Sequence, residues 1–443
     1  MKALILCCGG SPEPLEFCIE NFQTDFYYFL HSNKSVDIAN ELVKKYDIQP
    51  DKYSFKLVEN HESLEDSFAK SREMIEELKK NYDEINIDFT GGTKPMVSGL
   101  VLAAIGENCT YTYVGAKDSE SRDKFGMGIV KDGFEVLKNQ RDPYDVFAVM
   151  EFERGMEFFN RYQFEAARTN FKDASNKLES ESLKELSQLY LEIVDVYDLW
   201  DKFKNVEGEK HTLNYVLKQI LDKIESSDNL KRHFNENYPD FIAQMEDNIE
   251  FLNLKLSRKG MIKPHNVEYY LPDLLYNAYR RIEEGKYDDA VARLYRSIEL
   301  IAQMSLTKEN VINEQNLWSN SEFSINIRDV DAKQNGKVDE ILETFHEYNR
   351  AKEYGNKTFR IALKNSYELL DAFDLQFASD YLNDDEINRN ITSRNRSILA
   401  HGLQPIEKDK ALELYRQVLK YAKRAFPEIV EYMDMSEFPK FKR

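Results

Sequence analysis

Over the first 140 positions the apolar residues come in short dense runs, "MKALILCC", "FYYFLHS", "SFKLVE", "EINIDFT" and "CTYTYVGA". They are separated by stretches such as 63–80 and 95–107, where apolar residues return at helical spacing. This alternation predicts βαβ crossovers, and so a mostly parallel sheet with helices on both faces. A last pair of runs, "GMGIV" and "GFEVLK", flanks Lys131, Asp132 and Gly133 and reads as a hairpin. From about position 145 the spacing is helical almost throughout. Two pieces there resemble each other, "RYQFEAAR" at 161–168 and "KYDDAVAR" at 286–293. Each reads as the joint of an αα-hairpin, without the fixed period of a repeat array.

The polar stretch "SRKGMIKPHN" (257–266) reads as a linker, and 319–337 as a loop. The expected division is an α/β domain over 1–143, a helical middle domain over 144–260 and a helical C-terminal domain over 261–443. A chain of 443 residues is long enough for two or three cores. Its 42% hydrophobic and 12% aromatic content is that of a folded protein. No segment has the unbroken apolar length that a bilayer requires, and "MKALILCCGGSPEP" meets glycine, proline and acid too soon for a signal peptide. No membrane association and a cytoplasmic location are expected. Cys7, Cys8, Cys18 and Cys109 fit neither a disulfide framework nor a zinc site and read as core thiols.

The formal charge of −19 excludes a broad electrostatic grip on nucleic acid. A phosphate-bearing ligand therefore needs a local site. "IDFTGGTKPM" sets Thr90, Gly91, Gly92, Thr93 and Lys94 after a strand, with Pro95 in the first turn of a helix. Glycines let a backbone close on an anion at a helix N-terminus, and Lys94 adds formal charge. The spacing fits neither a Walker loop nor a dinucleotide fingerprint. A second turn, Gly9, Gly10 and Ser11, follows the first strand and should lie on the same sheet edge. The plainer reading of both is tight strand-to-helix turns.

Near the C-terminus "RNRSILAHG" gathers Arg394, Asn395, Arg396 and His401. The surrounding "DDEINRNITSRNRSILAHGL" begins with acids near Asp384 and reaches Gly402, a plausible helix stop. At about 100° per residue, Arg394 lies roughly 20° from the line of His401 and Arg396 roughly 140° away. A histidine held at a helix C-terminus, with solvated arginines, is the structural alternative. Arg258 and His265 share a similar spacing, but in a loop-like context.

"DFTGGTKPM", "YRRIEEGKYDDAVARLYRSIELIAQ" and "RNRSILAHG", in that order, resemble the CARF-HEPN ribonucleases that accompany type III CRISPR systems. The resemblance implies a Rossmann-like CARF sensor that binds a cyclic oligoadenylate across a dimer interface, with Gly9, Gly10, Ser11, Thr90, Gly91, Gly92, Thr93 and Lys94 on its ligand-facing turns. It implies a HEPN helical bundle at the C-terminus, whose signature is arginine, four to six residues often beginning with a polar one, then histidine. Arg396 with His401 gives the four-residue spacing, while Arg394 with Asn395 and His401 gives the six-residue spacing. The implied activity is metal-independent, cofactor-free cleavage of single-stranded RNA by a homodimer activated by the cyclic oligoadenylate. Two other readings stay open: a non-catalytic nucleotide-responsive scaffold, and a constitutive HEPN toxin ribonuclease. Ring size, RNA sequence preference and activator degradation by the sensor are open as well.

Overall fold

Alternation along β1 (Lys2–Cys7) decides the layering of the first domain. Ala3, Ile5 and Cys7 belong to one apolar cluster, together with Ile87, Met74 and Leu100. Leu4, Leu6 and Cys8 belong to another, with Leu15, Phe29 and Leu42. Successive side chains point to opposite faces, so a strand buried on both faces reads as one continuous apolar run.

The computed structural model describes residues 1–118, 121–122, 130–131, 133–207, 211–256, 267–312, 324–333, 336–394 and 404–442. They form two compact units, Met1–Phe152 with Asp173–Lys184, and Glu153–Lys172 with Glu185–Arg443.

In the first unit β1 is followed by α1 (Glu13–Asn21), β2 (Phe26–Ser32), α2 (Val36–Lys45), β3 (Tyr53–Val58), α3 (Leu64–Leu78), β4 (Glu84–Asp88), α4 (Lys94–Ala104), β5 (Cys109–Ala116) and β6 (Glu135–Gln140). The strand order is β3-β2-β1-β4-β5-β6. All neighbours are parallel except β5 and β6. The clusters place α1 and α2 on one face and α3 and α4 on the other. This is the mostly parallel sheet with helices on both faces that the pattern predicts, and the Rossmann-like fold that the resemblance implies. The four cysteines are free and buried, as expected of core thiols.

The expected hairpin is drawn differently. Its second arm is β6, but β6 takes the open edge of β5 as its antiparallel partner. Residues 126–129 of the other arm lie outside the described residues, and Val130 bridges Arg122.

The second unit is mainly helical. Its principal helices are α5 (Val149–Asn160, which starts in the first unit), α6 (Phe164–Lys177, which ends there), α7 (Glu181–Asp201), α8 (Leu213–Ser226), α9 (Pro239–Lys255), α10 (Tyr270–Glu283) and α11 (Tyr287–Lys308). Then come strand β7 (Ser324–Asn326), α12 (His346–Glu353), strand β8 (Thr358–Arg360), α13 (Leu363–Ala372), α14 (Asp385–Arg394) and α15 (Lys408–Ala425). Part of the stretch expected to be a loop is thus ordered, because β7 pairs antiparallel with β8. The linker expected at 257–266 lies outside the described residues.

Both αα-hairpins are present, and both turn by the same device. Tyr162 (φ 62°) and Gly285 (φ 76°) adopt the left-handed conformation. In one, Gln163 N donates to Phe158 O at 2.9 Å; in the other, Lys286 N donates to Arg281 O at 2.8 Å. This six-residue closure satisfies carbonyls that a helix end leaves unpaired.

A buried ionic network ties α7 and α9 to α10. Lys255 donates to Asp273, which also accepts from Trp200 Nε1 at 3.0 Å. Asp201 accepts from Arg280 Nε at 2.7 Å and from Arg281. Lys255, Asp273 and Arg280 are completely buried, so each charge depends on its partners to offset lost hydration.

Candidate functional site

The two glycine turns meet. β1 and β4 are adjacent, and the chain leaves β1 toward β2 on one side and β4 toward β5 on the other. Such a reversal of strand order opens a crevice beyond the carboxyl ends of the strands, where ligands of open α/β sheets bind. A Cβ on Gly9 would stand 2.6 Å from Gly92 N, and one on Gly91 would strike Cys7 O. Gly92 has φ +91°, and a Cβ there would strike Cys7 Sγ. The two backbones therefore touch only because these positions lack side chains.

Gly10, Ser11 and Lys94 are exposed, while Gly9, Thr90, Gly91, Gly92 and Thr93 are half-buried. The two threonine hydroxyls have structural tasks. Thr90 Oγ1 donates to Asp88 Oδ2 at 3.0 Å and accepts from Val114 N at 2.7 Å. Thr93 Oγ1 donates to His61 O at 2.5 Å and caps α4 by accepting from Met96 N at 3.4 Å. Pro95 has no N–H, and Val97 N is already bound to Thr93 O. The first turn of α4 thus keeps few open donors, and binding an anion here falls to the turn amides and the ammonium of Lys94.

Sequence reasoning missed Asp88, the residue that organises the β4 turn. Its carboxylate accepts from Thr90 N at 3.1 Å, from Thr90 Oγ1 and from Thr112 Oγ1 at 3.3 Å. It is fully buried. Loss of hydration raises its pKa to about 6, against the opposing pull of these hydrogen bonds. The signal was its place as the acid that ends β4, just ahead of the glycines.

At the other candidate centre the structure describes the approach. Asp384 Oδ1 accepts from Glu386 N and Ile387 N, both at 3.2 Å, which caps α14. Ile387 is buried in the core of the second unit, and Asn390 Nδ2 donates to Gln417 Oε1 of α15 at 3.1 Å. Arg394 is the last residue of α14. Asn395, Arg396, His401 and Gly402 lie outside the described residues.

Residues 259–425 match the family described as the Csm6 HEPN domain. No curated protein matches the chain. Similar solved structures include Enterococcus italicus Csm6 bound to cyclic hexa-2'-fluoro-hexa-dAMP, 12% identical over 98% of this chain and 98% of that one, with a TM-score of 0.45. Another is Can2 from Sulfobacillus thermosulfidooxidans in complex with cyclic tetra-adenylate, 12% identical over 57% of this chain and 67% of that one, with a TM-score of 0.23. The domain match spans Arg394, Arg396 and His401 as well as the α10–α11 hairpin, so it is the C-terminal part of the chain that is similar to the Csm6 HEPN domain.

Proposed function

We propose that this protein is a cyclic-oligoadenylate-activated, metal-independent endoribonuclease that cuts single-stranded RNA in type III CRISPR antiviral defence, acting in the cytoplasm as a homodimer. The observation that carries the reading is the match to a HEPN domain across the segment that holds "RNRSILAHG". In this reading 1–143 is the sensor, 144–260 connects, and 261–443 is the nuclease.

The chemistry follows from the residue types. Attack of a ribose 2′-oxygen on the adjacent phosphorus removes one proton from the nucleophile and delivers one to the departing 5′-oxygen. An imidazole titrates in the range both transfers require, so His401 takes the acid–base role. The planar guanidinium of Arg396, or of Arg394, stabilises the added negative charge on the phosphate. Asn395 is the polar second position when Arg394 is the partner. One chain offers one such histidine, and a two-fold contact brings a second. The need for a 2′-hydroxyl restricts the substrate to RNA.

In the sensor, the contact between the Gly9–Gly10–Ser11 and Thr90–Lys94 turns supports a ligand crevice. Gly9, Gly10, Gly91, Gly92 and Thr93 offer backbone amides, Ser11 its hydroxyl and Lys94 its charge, while Thr90 shapes the floor. The activator works by binding one arrangement of the catalytic dimer better than the other.

The test is cleavage of a fluorescent RNA, with and without cyclic oligoadenylates and in the presence of a chelator, by wild type and His401→Ala. Activity in wild type only when activator is added, and none in His401→Ala, is expected. No activity under any condition supports the scaffold reading, and activity without activator supports the toxin reading.

A further inference from the structure

A stretch of the second unit departs from the acidity of the chain. Residues 346–364 hold five lysines and arginines against two glutamates, in a protein of net charge −19. The segment is α12, a turn through Gly355 at φ +68°, strand β8 and the start of α13. Tyr348, Ala351 and Phe359 are buried, and that periodicity turns Glu347, Arg350, Tyr354 and Arg360 outward.

Two cavities open on this surface, of about 480 and 590 Å³. Glu347, Arg350 and Arg360 line both and so form the ridge between them. Tyr354 and Asn356 complete the first, and His346 and Asn365 the second. Tyr354 is 70% exposed, an unusual place for a large ring that serves only packing. Lys352 is held by Asp331 and Tyr348, and Lys364 by Glu368. Arg350 and Lys357, by contrast, make no ion pair among the described residues.

We infer that this ridge and its two cavities hold successive nucleotides of single-stranded RNA. The phosphate between them lies on Arg350 and Arg360, one base stacks on Tyr354, and the other lies against His346. Glu347 accepts from a ribose hydroxyl or an exocyclic amine. Single-strand binders combine basic residues that follow the backbone with rings on which unpaired bases stack. Cavities of this size suit a nucleotide. An acidic peptide would use the guanidinium groups, but its carboxylates offer Tyr354 no aromatic face to stack on. In an acidic protein a local basic ridge also sets where a polyanion lands, because repulsion elsewhere leaves the strand few other footholds. The inference rests on the ribonuclease reading and adds a substrate-holding surface built from residues other than those at 394–401.

The experiment measures binding by full-length chain in the His401→Ala background, so that no RNA is cut. Anisotropy of a short labelled single-stranded RNA is followed over a salt series for that parent, for Arg350→Glu and for Tyr354→Ala. Both are exposed positions, and circular dichroism confirms that each variant is folded. Each change should weaken binding about tenfold. Arg350→Glu should also lower the salt slope by about 0.7, since one phosphate fewer is neutralised, whereas Tyr354→Ala should leave it unchanged. Binding equal to the parent in both variants overturns the inference, as does a parent that binds no RNA, which would leave the ridge to an acidic protein. Cleavage by wild type is read separately. A chain that binds RNA here but cuts none overturns the ribonuclease reading alone.

Discussion

Asp88 is the residue where the physics of the first unit is most exposed to test. Burial raises its carboxyl to about 6, above the value near 3.8 of a free aspartate. The folded state therefore holds a proton that the unfolded state releases, and stability falls as pH rises from about 4 to about 6. Above that window the ionised group is a standing penalty of about 3 kcal/mol. Asp88→Asn keeps an acceptor for Thr90 N and removes the charge. The variant should match wild type near pH 4 and exceed it by up to about 3 kcal/mol above pH 7. Urea denaturation at a series of pH values checks this, and a difference between the two proteins that does not change with pH would refute the assignment. The same substitution asks whether the glycine turns depend on that charge, because Thr90 is positioned by it.

At the scale of elements the αα-hairpins are the sharpest case. Comparing "RYQFEAAR" with "KYDDAVAR" as text aligns Tyr162 with Tyr287. The structure aligns Phe164 with Tyr287, two positions away, since the left-handed residues are Tyr162 and Gly285. The likeness of the letters identified the joints, while backbone closure set their register. Gly285 has open space around it, and a methyl group on its Cα would have Tyr287 Oη, at 4.0 Å, as its nearest neighbour. Gly285→Ala should therefore lose only the backbone preference, about 1 kcal/mol. A lower midpoint in urea with an unchanged slope is the expected result; no change in midpoint would mean that the turn is not held left-handed. The network of Lys255, Asp273, Arg280 and Asp201 belongs to this scale too, for it joins helices far apart in sequence through groups that water does not reach.

For the whole molecule the prediction concerns assembly. If two copies of His401 complete one catalytic centre, then excess His401→Ala chain mixed with wild type should suppress RNA cleavage per wild-type chain, because mixed pairs lack one imidazole. Dilution should lower the specific activity for the same reason. Cleavage that stays proportional to the amount of wild type through both titrations would rule out a composite centre.

The order of strands and helices, the burial of the four thiols and the two helix joints were legible in the chain because each depends on local periodicity or on turn chemistry within a few residues. So were the glycine turns, since only glycine tolerates the left-handed backbone at Gly92 and the close approach at Gly9 and Gly91. What the string of letters could not contain was which distant groups would share a volume. The partner of β6, the elevated carboxyl of Asp88, and the engagement of the Thr90 and Thr93 hydroxyls all arise from segments brought together across many residues. Desolvation and hydrogen-bond competition act through space, and only the tertiary structure determines those distances.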